Sequence, residues 1–287
     1  MPTVLVSAEG HLLDPAVPIV HADDLGLIHG DGLFETLLIR GGRVCGVDRH
    51  LARMVASAAV AGLPPIDVAS LGRMVDVAAR GWLSVAGDME REGMLRVIVT
   101  QGREHDVHAG PTMFATVDPV PDRVAVARRD GVRAVTLPTA YEPGLAQRAP
   151  WLLRGVKSLS YAANMAALRQ ARSLGVDDAI FVSAAGTVLE GPRSSVVAVL
   201  GGTLVTPRRD DGVLPGTTQD ALFELAASEG ITVAERELTA EELVRADEVW
   251  LVSSVTLAAR VIELDGRPFP GGSVIDVSAL VRRSAGA

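Results

Sequence analysis

Short apolar runs alternate with longer stretches of helical periodicity along this chain, and burying both kinds of surface requires a mixed α/β or α+β architecture. In the first half, residues 3–6 and 33–39 read as strands, and Gly41-Gly42 turns the second into 43–47 as a hairpin. Asp48 is the expected N-cap of a helix with Leu51, Met54, Val55 and Ala58 on its apolar face and Gly62, ahead of Pro64-Pro65, as its stop. A second helix is predicted over 68–85, followed by strands over 94–100 and 112–117 that flank the polar loop 101–111. The densest proline punctuation comes next, Asp118-Pro119-Val120-Pro121-Asp122. At about 150 residues per domain, a chain of 287 accommodates two. The expected division is a smaller N-terminal α/β domain over 1–118, an interdomain linker over 119–122 and a larger C-terminal domain over 123–287. In the latter, strands are expected at 133–137, 179–183, 187–190, 195–200, 203–205, 231–236 and 248–253, and helices at 161–173 and 218–228. Thr239-Ala240-Glu241-Glu242 is a capping-box pattern for one more short helix.

Several classes of function are set aside by composition. The longest run free of Asp, Glu, Lys and Arg, 194–207, is too short and too interrupted by Gly to span a bilayer, so no membrane segment is expected. Met1-Pro2-Thr3-Val4 lacks the basic start and apolar stretch of a secretory signal, and the expected address is cytoplasmic. A net charge of -8 with 10 aromatic residues lacks the basic, aromatic-interleaved stripe of a nucleic-acid binder. One cysteine, Cys45, permits neither an internal disulfide nor a cysteine-based zinc site. Gly30-Asp31-Gly32 lacks the third glycine of a dinucleotide fingerprint, and phosphate-loop, nucleophile-elbow and HExxH motifs are all missing. His105 and His108, with Glu104 and Asp106, read as a solvated polar loop, and no metal is expected.

Of 27 basic side chains 26 are Arg, which leaves Lys157 as the single lysine. Either it is a remnant of a compositional bias toward Arg, or it stands where Arg cannot serve. Only an amine can lose its proton near neutral pH and attack a carbonyl. Its setting, Gly155-Val156-Lys157-Ser158-Leu159-Ser160-Tyr161, lies just ahead of a predicted helix, where the positive helix end and burial favour the neutral amine. Schiff-base chemistry is the natural use of such a lysine, most often with pyridoxal phosphate, which also requires an acid against its pyridine nitrogen and a cradle for its phosphate. Glu190, at a strand end before Gly191-Pro192, offers the acid. Gly216-Thr217-Thr218 opens a helix and offers N–H groups and hydroxyls to an anion.

At these residues the sequence resembles the fold-type IV (class IV) pyridoxal-phosphate enzymes, a family that holds branched-chain aminotransferases, D-amino-acid aminotransferases and aminodeoxychorismate lyases. The resemblance runs in order through His29-Gly30-Asp31-Gly32-Leu33-Phe34-Glu35, Arg49-His50-Leu51-Ala52-Arg53-Met54, Lys157-Ser158-Leu159-Ser160-Tyr161, Val188-Leu189-Glu190-Gly191 and Leu214-Pro215-Gly216-Thr217-Thr218. It implies a two-domain fold like that of the D-amino-acid aminotransferases, with the cofactor between the domains, and a homodimer. It also implies roles: Lys157 as the cofactor-bonding lysine and later general base and acid, Glu190 on the pyridine nitrogen, and Arg53, Thr217, Thr218 and Ser254 on the phosphate. The chain departs from the family pattern at Pro192, Ser195 and Val197, and at Gln219, where a basic residue is usual.

The same resemblance bears on the reaction. Branched-chain aminotransferases tend to carry Tyr-Glu-Gly where this chain has Phe34-Glu35-Thr36, and Thr36 looks like the threonine that aminodeoxychorismate lyases place near the lysine amine. The segments from Lys157 to Ser195 and from Trp250 to Arg260 also look more like the lyase branch. The implied activity is conversion of 4-amino-4-deoxychorismate to 4-aminobenzoate and pyruvate, a step of folate synthesis. The alternative is a D-amino-acid or branched-chain aminotransferase, favoured by Arg103-Glu104-His105, which echoes an Arg-x-His carboxylate trap. Phe34 and Arg103 are candidate substrate contacts, and the sequence does not choose among Arg40, Arg103, Arg154 and Arg193 for substrate carboxylates.

Overall fold

In the computed structural model, which describes residues 3–142, 144–269 and 271–286, the two periodicities sort into two units, each with its own sheet. The first runs to Pro121 and also takes in Val156–Tyr161, so this short piece of the C-terminal half belongs with the N-terminal sheet. The second comprises Asp122–Gly155 and Ala162–Gly286.

The first unit contains β1 (Val4–Ser7), β2 (Leu12–Leu13), α1 (Leu25–Ile28), β3 (Gly32–Arg40), β4 (Arg43–Val44), α2 (Val47–Ala61), α3 (Val68–Ala86), β5 (Gly93–Thr100) and β6 (Met113–Pro119). Its antiparallel sheet runs β2-β1-β6-β5-β3-β4. Leu33, Leu37 and Ile39 of β3 and Val97 and Val99 of β5 bury their side chains with Met54 of α2 and Leu71, Met74 and Trp82 of α3. Each such side chain contributes about 1.5–3 kcal/mol, so this face fixes the register of β3. One boundary differs from the sequence expectation. The strand after the glycine turn ends at Val44, and Gly46, at φ +63°, turns the chain so that α2 starts at Val47 and Asp48 lies inside its first turn.

The second unit contains α4 (Asp122–Asp130), β7 (Val132–Thr139), α5 (Leu145–Arg148), α6 (Ala162–Ser173), β8 (Asp178–Ser183), β9 (Glu190–Gly191), β10 (Ser194–Leu200), β11 (Thr203–Thr206), α7 (Thr217–Ser228), β12 (Thr232–Glu235), α8 (Ala240–Val244), β13 (Glu248–Ser253), β14 (Leu257–Leu264), β15 (Arg267–Pro268) and α9 (Val277–Ser284). The sheet runs β12-β11-β10-β13-β14-β7-β8, with β9 paired to β10 and β15 to β14. The β11–β12, β14–β7 and β7–β8 pairs are parallel. Pro119 ends β6 and Asp122 starts α4. Helix α8 carries the expected capping box, with Thr239 and Glu242 each bonding the other's backbone. Among the described residues no helix is long and apolar enough to cross a membrane.

Candidate active site

Lys157 is held by a strand edge and not by a helix start. Helix α6 begins five residues later, and residues 157–159 extend along the part of β3 that the two-residue β4 leaves unpaired. Phe34 N donates to the Lys157 carbonyl at 3.1 Å, Leu159 N donates to the Gly32 carbonyl at 2.8 Å, and Leu33 and Ser158 form an antiparallel bridge. The expected helix-end effect on the amine is therefore replaced by an aromatic setting. Lys157 Nζ lies 4.6 Å from the Phe34 ring centroid and 5.9 Å from that of Tyr161, and the two rings meet edge to face at 5.2 Å. Ring faces attract an ammonium, so they fix where the amine sits.

Strand alternation gives Phe34 and Thr36 one face of β3, with Leu33, Glu35 and Leu37 on the other. Thr36 thus shares the face over which Lys157 lies. Directly across from Thr36 on β5 is Arg96, whose Nη1 donates to Asp118 at 3.0 Å. Arg96 was missed by the sequence reading because only the strand register puts it beside Thr36.

On the opposite face a charged cluster is buried. Glu35 has no exposed surface; it accepts from His50 Nδ1 at 2.6 Å and from Arg53 Nε and Nη2 at 2.8 and 2.7 Å. Burial alone would raise the Glu35 pKa, but the Arg53 charge and hydrogen bonds from His50 and Arg53 outweigh it and hold the carboxyl down to about 2. Burial is also the main reason that the His50 pKa is lowered; the charges of Arg53 and Lys157 act the same way, and Glu35 opposes them. Arg53, expected at a phosphate, is thus gripped in a fixed orientation by a bidentate carboxylate.

In the second unit, Glu190 begins β9, pairs with Ser195 of β10 and accepts from Leu214 N at 3.2 Å. Thr217 and Thr218 are buried at the start of α7, whose N-cap, Gly216, supplies no side chain to its first amides. A Cβ at 216 would collide with Ser195 Oγ, so only glycine lets that hydroxyl sit at the helix start. Ser254 lies in the turn between β13 and β14. Arg128 of α4 holds this turn, donating through Nη2 to the Val255 carbonyl at 2.6 Å and through Nε to that of Thr256 at 3.2 Å.

Three of the four arginines named for substrate carboxylates have partners of their own, as Arg96 does. Arg103 Nε bonds both Asp23 oxygens, at 3.0 and 3.2 Å, and its Nη1 is 3.7 Å from Asp106. Arg40 pairs with Glu92 at 3.4 Å, and the Arg154 guanidinium lies 4.3 Å over the Tyr141 ring. Among the described residues, no group of three or more His, Cys, Asp or Glu could hold a metal ion.

Comparison with known proteins matches residues 32–264 to the class IV amino-transferase family. A curated relative from Mycobacterium tuberculosis, described as a bifunctional aminodeoxychorismate lyase / D-amino acid transaminase, is 45% identical over 96% of both chains. A solved structure described as a hypothetical aminotransferase from Mycobacterium tuberculosis in its PLP-bound form superposes with a TM-score of 0.94 at 45% identity, covering 98% of each chain. The 4-amino-4-deoxychorismate lyase structure from Pseudomonas aeruginosa superposes with a TM-score of 0.75 at 29% identity, over 94% of this chain and 95% of that one.

Proposed function

The chain belongs to the class IV aminotransferase family, and from that premise we propose that it is a pyridoxal-phosphate enzyme converting 4-amino-4-deoxychorismate to 4-aminobenzoate and pyruvate. The observation that carries this reading is the position of the Lys157 amine over the face of β3 that presents Phe34 and Thr36. The 45% identity to a relative described with this lyase activity supports it.

The residues fit the cofactor. The uncapped start of α7, kept open by Gly216, offers amides and the Thr217, Thr218 and Ser195 hydroxyls to a phosphate. Arg53 adds a cation held by Glu35, and Ser254 a further hydroxyl. Glu190 is the carboxylate for the pyridine nitrogen, and Lys157 the amine for the aldehyde. When bound, pyridoxal phosphate supplies an electron sink that acidifies the carbon bearing the substrate amine. Lys157 then takes the C4 proton of the substrate. The bond from C3 to the enolpyruvyl oxygen breaks, the ring becomes aromatic, and the released three-carbon fragment gains a proton to become pyruvate. Thr36 directs its hydroxyl to the departing oxygen, Phe34 packs on the substrate ring, and Arg96, opposite Thr36 and held by Asp118, is the proposed partner for a carboxylate of the substrate.

A second reading, D-amino-acid transamination, is favoured by the bifunctional description of the mycobacterial relative. It would use the same Lys157 to return the proton to a different carbon. A homodimer and a cytoplasmic setting complete the proposal. Cofactor-loaded protein supplied with enzymatically generated aminodeoxychorismate should release 4-aminobenzoate, and the Lys157→Ala protein should release none. Loaded protein that yields no 4-aminobenzoate but moves the amino group of D-alanine to 2-oxoglutarate would overturn the lyase in favour of the transaminase.

A further inference from the structure

A cavity of about 290 Å³ in the second unit lies on the face of the sheet away from the start of α7. On β10, Ser195 turns its hydroxyl toward Gly216 while its neighbour Ser194 lines the cavity, and adjacent residues of a strand point to opposite faces. Leu251 of β13 and its register partner Ala259 of β14 supply an apolar floor. Around it stand three guanidinium groups from separate elements: Arg123 of α4, Arg172 of α6 and Arg193 from the turn between β9 and β10.

Two acids, Asp177 and Asp178, share the wall with these three cations. Asp177 accepts from Arg133, through the backbone N–H at 2.9 Å and Nε at 3.4 Å. Asp178 accepts from Ala179 N at 2.9 Å, lies 4.0 Å from Arg193 and also feels the charge of Arg123; burial outweighs these and raises its pKa, which weakens it as a counter-charge to both. Arg172 has no carboxylate within ion-pair distance among the described residues. An excess of positive charge therefore rims an apolar floor. An engineered apolar cavity of about 150 Å³ accepts a benzene ring, so this one has room for a ring and an acid group.

We infer that this cavity binds a small organic acid, a carboxylate on an aromatic or branched apolar body, with the acid group among Arg123, Arg172 and Arg193 and the body against Leu251 and Ala259. The inference does not depend on the reaction proposed above. Thr256, in the cavity wall, belongs to the turn held by Arg128, so an occupant lies against the segment that carries Ser254.

Titration of benzoate into cofactor-loaded protein, followed by calorimetry with inorganic phosphate as the anion-only control, tests it. Benzoate should bind saturably and more tightly than phosphate. Arg172→Met and Arg123→Met should each weaken it by about tenfold, the loss of one charge-assisted contact, with the cofactor absorbance unchanged. Ala127→Leu, which fills the cavity from α4 and keeps every charge, should also abolish binding. No saturable binding, binding that survives the arginine substitutions, or phosphate binding as tight as benzoate would overturn the inference. So would loss in the arginine proteins with full binding in Ala127→Leu, which would put the anion at the surface.

Discussion

The two units hold their polar groups by opposite means. Around Glu35 the first unit holds a buried carboxylate and imidazole and a part-buried guanidinium on matched hydrogen bonds, so orientation there depends on charge balance. At the start of α7 the second unit brings together backbone amides, buried threonines and the Ser195 hydroxyl, which converge because a glycine leaves them space. One arrangement should therefore break when a charge is removed or titrated, and the other when a methyl group is added.

Removing the Glu35 carboxylate is the largest test of this contrast. Glu35→Ala leaves the buried His50 and the part-buried Arg53 without their counter-charge, and breaking a buried pair from one side costs about 3–5 kcal/mol. Urea unfolding should show the loss, with Glu35→Gln milder because it keeps the shape and some hydrogen bonding. A change below about 1 kcal/mol would mean that the cluster is not what fixes Arg53.

Acid should act on the same cluster. The folded Glu35 pKa of about 2 lies below its ordinary 4.5, so its stabilisation is complete above pH 4.5 and is lost as pH falls from there toward 2. His50, lowered from 6.5, resists protonation in the folded state, while the unfolded chain takes up the proton freely below pH 6.5. Both groups make stability fall with falling pH, His50 first. Thermal melts from pH 7 to pH 3 should decline in two stages, and His50→Gln should flatten the upper one; an unchanged upper stage in that variant would assign it to other groups.

The start of α7 should ignore both treatments and respond to Gly216→Ala. The added Cβ meets Ser195 Oγ, and overpacking of this kind costs about 1–3 kcal/mol. Cofactor should be retained less tightly, as measured by its release on dilution, and Ser195→Ala in the same protein should recover part of the loss by clearing the space. No recovery would show that the backbone at 216, and not the hydroxyl, sets the limit.

What was legible in the sequence follows the same division. The α7 start could be read because glycine, two threonines and a helical run are neighbours in the chain, and β3, β5, β13 and the Thr239 capping box are equally local signals. The Glu35 cluster could not: His50 and Arg53 share a face of α2, but their partner is on β3, and only tertiary packing joins them. The support of Lys157 was misread for a related reason. Its place on β3 depends on β4 ending after two residues, which the apolar run 43–47 conceals. Strand β14 went unread because Ala258 and Ala259 give no contrast between its faces, and Arg96 because register is not written in either strand alone.

The turn bearing Ser254 combines the two modes, since a charged side chain, Arg128, there holds backbone carbonyls, and it should show the smallest effect. Leu257, just beyond the turn, has φ +61°, a conformation that a side chain of its size adopts only when its surroundings impose it. Arg128 bonds the two carbonyls immediately before it, so the clamp and the strained residue are adjacent. Arg128→Met keeps the aliphatic packing of the side chain and removes its donors, at a cost of about 1 kcal/mol. Cofactor release should be accelerated about fivefold, the equivalent of that energy, and amide exchange at residues 254–257 should quicken while the first unit is unaffected. Arg128→Lys, which offers one donor group in place of a fork, should fall between. Faster release without faster exchange would mean that Arg128 acts through charge alone, as a long-range attraction for an anion. Faster exchange with unchanged release would mean that Ser254 contributes nothing to holding the phosphate.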